Sequence, residues 1–60
     1  MHREHVRMEI QRCSYDDLIK WRKHAVFCLK QFQEEQNQFE IEECEFIIRL
    51  IDQQLQHMNS

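Results

Sequence analysis

Seven side chains in this sequence have the chemistry for metal binding or nucleophilic attack: His2, His5, His24 and His57, and the thiols Cys13, Cys28 and Cys44. A metal site on one helix needs ligands about a turn apart on the same face, and no two of these histidines stand four residues apart. The run HREH at residues 2–5 lacks the acid position and the spacing of the zincin pattern. No C-x₂-C pair occurs either, so four convergent zinc ligands are not offered. The expectation is no metal and no cofactor.

His24 and Cys28 are four apart and would share a helix face, the one arrangement here that could depress a thiol pKa. Nucleophilic catalysis also requires an oxyanion site and a substrate pocket, which a glycine-free helical chain does not supply. Cysteine acting as a small hydrophobe is the plainer reading. The acids of FEIEECE, residues 39–45, are read as a solvated, dipole-favoured start of a helix rather than as paired catalytic carboxylates. No catalytic residue is expected, and the chain reads as a non-enzyme.

These residues must be carried by elements that the rest of the sequence specifies. Ser14 is followed three residues later by Asp17, a variant of the capping box with both Asp16 and Asp17 in the first turn. From there Leu18, Trp21, Ala25, Cys28, Leu29 and Phe32 recur at intervals of three and four, which confines them to a sector about 100° wide. Tyr15, Ile19 and Val26 form a flanking stripe. Asn37 and Glu40 repeat the cap logic, and a second apolar pattern follows through Phe39, Cys44, Phe46, Ile47, Ile48, Leu50, Ile51, Leu55 and Met58.

Between these patterns lies QEEQNQ, residues 33–38, without glycine or proline. A continuous rod would use Leu18, Ala25, Phe32, Phe39 and Phe46 as heptad anchors, but the companion positions hold mostly acids, glutamine and arginine. The sequence therefore predicts a turn here, with Asn37 as the candidate for a left-handed backbone conformation. Two equal helices over about 15–35 and 38–58 make an antiparallel hairpin.

Residues 1–13 are expected to form a short β-strand or extended arm, because Val6, Met8 and Ile10 alternate with Arg7, Glu9 and Gln11. A helix is the competing reading, since Val6, Ile10 and Cys13 also fall at i, i+4 and i+7. The domain plan is one unit: arm 1–13, first long helix 14–36, second 37–59. A lone strand needs a partner, and its copy in a dimer is the nearest one.

Sixty residues are too few to bury a large core alone. The broad apolar sector of the second long helix therefore predicts a homodimer, completing a mainly α four-helix bundle. The hairpin core is expected at Leu18, Trp21, Ala25, Leu29, Phe32, Phe39, Phe46 and Leu50. The dimer or partner interface is expected at Ile19, Val26, Phe27, Ile47, Ile48, Ile51 and Leu55, with Ile47, Ile51 and Leu55 as its centre. Phe27 stands apart, on the far side of its helix from Leu18 and among Lys20, Lys23 and Lys30, and suits an acidic partner or the second subunit.

Charge is divided along the chain. Residues 1–30 carry seven Lys and Arg against four Asp and Glu, a net of +3, and residues 31–60 carry one against seven, a net of −6. The halves attract, so pairing within the chain or between subunits is expected ahead of a nucleic-acid surface. A strand followed by two helices in a small dimer has the element order of the ribbon-helix-helix repressors, whose reading strand would here present Arg7, Glu9 and Gln11. That likeness goes no further than element order: the first long helix is too long, and an acid sits in the reading strand. The odd cysteine count and the absence of an apolar N-terminal run point to a reducing, cytoplasmic setting. Apolar runs such as AVF and FII are far too short for a membrane span, and none is predicted.

The functional expectation is a small protein–protein interaction module, a regulator of a larger cytoplasmic protein of the kind found among phage and bacterial accessory factors. A DNA-binding regulator and a structural subunit of a helical assembly are the alternatives.

Overall fold

The computed structural model describes residues 3–59, which form three helices: α1, Arg3–Arg12; α2, Tyr15–Glu35; and α3, Gln38–Met58. His2 lies outside the described residues. Ser14 starts α2 by accepting a hydrogen bond at Oγ from the Asp17 amide at 3.2 Å. Asn37 starts α3 in the same way, its Oδ1 accepting from the Glu40 amide at 3.4 Å. Each cap satisfies a backbone donor that the first helical turn cannot pair internally, and so sets where the helix begins.

The chain folds back between α2 and α3. A continuous helix over both would be about 66 Å long, whereas the described residues extend only 36 × 21 × 15 Å. The turn needs one left-handed residue, and it is Gln36, at φ 58°, ψ 36°, rather than the expected Asn37, whose φ is −89°. Asn37 is already committed as the cap of α3, so the left-handed position moves one residue earlier. There the Gln36 amide bonds to the Gln33 carbonyl, and the Asn37 amide to that of Phe32. A side chain in this conformation costs about 1–2 kcal/mol that glycine avoids. Gln36→Gly should raise the urea midpoint by an amount equivalent to about 0.5–1 kcal/mol once glycine's larger unfolded-state entropy is subtracted. An unchanged or lowered midpoint would contradict a strained turn.

The N-terminal segment is helix α1, not the expected strand. Among the described residues no strand exists with which it could pair, and an unpaired strand would leave its backbone groups without partners, whereas a helix satisfies its own. Its i, i+4 pair, Val6 and Ile10, is buried, while Met8, which strand alternation would place beside them, is 47 % exposed. Glu4 in its first turn and Arg12 in its last complement the helix dipole. The repressor-like element order disappears with the strand, and Arg7, Glu9 and Gln11 belong to an exposed helix surface.

The core is where the three helices meet. Val6 and Ile10 of α1, Leu18 of α2 and Ile51 of α3 form one buried cluster, with Cys13, Trp21, Ile47, Leu50 and Leu55 packed against it. Leu18 and Ile51 are both 0 % exposed, each contributing about 1.5–3 kcal/mol by burial. Ala25 and Cys44 are buried nearer the turn, and Leu29 and Phe32 are half-buried there. The basic and acidic halves meet as the hairpin requires: Arg22 Nε lies 2.6 Å from Asp52 Oδ1 across α2 and α3.

Candidate interaction surface

Among the described residues no group of three or more His, Cys, Asp and Glu is placed to hold a metal ion. Cys28 Sγ and His24 Nε2 are 3.5 Å apart, a contact that i, i+4 spacing supplies on any helix. Burial pushes the Cys44 thiol up from its ordinary value, and nearby Cys28, Glu40 and Glu43 add to the shift by charge repulsion. Cys13 is shifted the same way, by burial first and then by Asp17 and Glu9. Raised values keep thiols protonated and poorly nucleophilic. One shallow pocket lies between α1 and α3, lined by Arg7, Ile10, Gln11, Leu50, Gln53 and Gln54. Its volume of about 160 Å³ is below the range of small-molecule sites.

The surface is better described by its faces. At about 100° per residue, Ile19 and Val26 stand about 80–100° to one side of Leu18 on α2, and Trp21 and Cys28 about 60–80° to the other. On α3, Ile41 and Ile48 stand about 60–80° to one side of Ile51, and Glu43 and Leu50 about 80–100° to the other. Helix α1 occupies the Trp21–Leu50 side. Its first residue, Arg3, reaches Glu43 at 3.7 Å and lies over the Phe46 ring at 4.5 Å from the centroid. Ile10 and Gln11, near its end, adjoin Leu50 and Gln54. It therefore runs alongside α3 in the same direction and covers one face of the hairpin.

That cover reassigns part of the expected interface. Ile51 is fully buried, and Ile47 and Leu55 pack against the cluster that all three helices share, so the centre expected from sequence for a partner belongs to the core. Ile19, Val26 and Ile48 remain half-buried on the opposite, uncovered face, joined by Ile41, and by Tyr15 at 50 % exposure. Phe27 is 60 % exposed on the outer side of α2, with Lys20, Lys23 and Lys30 also exposed.

Two expected assignments change for the same reason, the reach of α1. Ten residues of helix span about 15 Å, enough to run from the level of Phe46 to that of Gln54 but not to Phe39, in the first turn of α3. Phe39 is accordingly 66 % exposed and not part of the core, while Phe46 is half-buried under Arg3. Conversely, Glu43, grouped in the sequence with solvated acids, is buried. Its Oε2 has no hydrogen-bond partner in the described structure, and at 3.7 Å the Arg3 guanidinium is too far to donate a hydrogen bond to Oε1. Alternation of charge along residues 39–45 carries no signal for this, because α1 is what closes over the site.

Comparison with known protein families, with curated proteins and with solved structures finds no match to this chain. No helix among the described residues is long and apolar enough to cross a membrane.

Proposed function

We propose that the chain is a small, non-enzymatic protein–protein interaction module that pairs with its own copy and regulates a larger cytoplasmic protein. The observation that carries the larger-partner reading is Phe27, 60 % exposed with Lys20, Lys23 and Lys30 exposed on the same outer surface of α2. Most of the ring is open to solvent and lies outside the buried core cluster. A rigid ring flanked by cations suits an acidic partner surface with an apolar notch, the ring supplying buried area and the lysines orientation and on-rate.

The test is copurification from native cells with a tagged chain. A stoichiometric larger protein should be retained by the unaltered chain and by Phe39→Ala, an aromatic truncation of similar exposure elsewhere. It should be lost with Phe27→Ala, which is expected to weaken binding about 30-fold or more if Phe27 is a hot spot. Equal retention by both variants would refute the assignment.

A further inference from the structure

The uncovered face of the hairpin has a charge pattern as well as an apolar centre. Lys23 and Lys30 border it along α2, and Glu45 and Asp52 border it along α3, with Tyr15, Ile19, Val26, Ile41 and Ile48 between or beside the two edges. All four border charges are exposed. Arg49 of α3 stands further round toward solvent, about 160° from Ile51, and lies outside the border. One edge of the face is thus complementary to the other.

Resting on the reading of the chain as a module that pairs with itself, we infer that this face takes a second copy related by a twofold axis parallel to the helices, α2 of each copy lying on α3 of the other. A closed dimer must be self-complementary about its axis, and the direction of the axis decides which edges meet. An axis parallel to the helices brings each basic edge over the other copy's acidic edge. An axis across them lays α2 on α2 and α3 on α3, so like charges meet.

The parallel axis also preserves height along the bundle. The Gln36–Asn37 turn and the Arg22–Asp52 pair set an antiparallel register in which Lys30 is level with residues 42–45 and Val26 with Ile48. Across the dimer Lys30 therefore meets the second copy's Glu45, and Val26 its Ile48. Arg22 of each copy comes over the second copy's Asp52, and the two ion pairs close into one neutral ring of four charges.

The experiment is a charge swap read by sedimentation. Lys30→Glu and Glu45→Lys change exposed residues, so the fold survives, which helical circular dichroism verifies. Each variant alone places two like-charge contacts in the dimer and should weaken self-association about tenfold at low salt. Mixing the two variants restores both attractive contacts when α2 lies on α3 of the other copy, so the mixture should form a heterodimer with the affinity of the unaltered chain; with α2 on α2 the unaltered chain would already set like charges together, and neither variant alone would weaken the dimer.

Geometry is read separately with all three native cysteines replaced by serine or alanine. A Val26→Cys chain mixed with an Ile48→Cys chain should give a disulfide-linked heterodimer under mild oxidation, and Val26→Cys alone should give none. A chain that is monomeric at all concentrations overturns the inference. So does a dimer in which Val26→Cys links to itself, or one in which mixing the charge variants restores nothing. Lys30 adjoins both surfaces, so the larger-partner reading is tested by Phe27→Ala in a chain that keeps its native lysines.

Discussion

Leu18→Ala should cost about 2–5 kcal/mol and leave most of the chain unfolded at room temperature. Leu18 is fully buried at the point where α1, α2 and α3 meet, in contact with the cluster of Val6, Ile10 and Ile51. Removing its branched end takes apolar area out of the core and leaves a void that three helices would have to collapse together to fill. A 60-residue chain has little stability in reserve, since small domains bury a smaller share of their surface than large ones. The measurement is urea unfolding followed by helical circular dichroism at one fixed protein concentration, because self-association makes apparent stability concentration-dependent. Phe39→Ala is the control: a larger side chain is truncated at a 66 % exposed position, and the change should stay within about 0.5 kcal/mol. If the two variants unfold at the same urea concentration, the core is not where the three helices place it.

Glu43→Met should have the opposite sign, stabilising the chain by about 1–3 kcal/mol. Glu43 is buried beneath α1, its Oε2 has no hydrogen-bond partner, and its closest cation, Arg3, is 3.7 Å away with a side chain 60 % exposed. Desolvating a carboxylate costs several kcal/mol, and one long contact to a largely hydrated guanidinium returns little of it. Methionine is of similar length, fills the same space and requires no partner, while Arg3 keeps water and the Phe46 face. Thermal unfolding of the variant beside the unaltered chain decides it. A fall in stability would mean that the Arg3–Glu43 contact holds α1 in place more strongly than its geometry implies.

The two long helices were legible because their signals are local. A hydroxyl or amide at a cap, an acid two or three residues on, and apolar residues at intervals of three and four act within a turn or two of helix. Ser14 and Asn37 accordingly start α2 and α3. The turn between them was legible as a polar break with a cap behind it. Its left-handed residue was not: Gln36 and Asn37 compete for two roles, and only the closed hairpin shows that Asn37 serves as the cap.

The candidate surface was legible only in part. Ile19, Val26, Phe27 and Ile48 lie on surfaces still open to a partner, whereas Ile47, Ile51 and Leu55 belong to the core that the three helices form together. Periodicity tells which residues of a helix share a side. It does not tell which neighbour arrives there.

What the sequence determined by itself was the pair of equal helices, the place where the chain turns back, and the division of charge between the first and second halves of the chain. Each follows from interactions within a few residues or from net charge summed over half the chain. The tertiary structure decided the state of residues 3–12, whose alternation and i, i+4 spacing were both open. It also decided the burial of Glu43 and Ile51, the exposure of Phe39, and which face of the hairpin remains uncovered. The physical reason is common to all of these. A ten-residue helix has too few internal hydrogen bonds to be stable alone, so α1 takes its form and its place from the apolar groove of the hairpin. By covering one side of that groove, it leaves the Ile19–Ile48 side open.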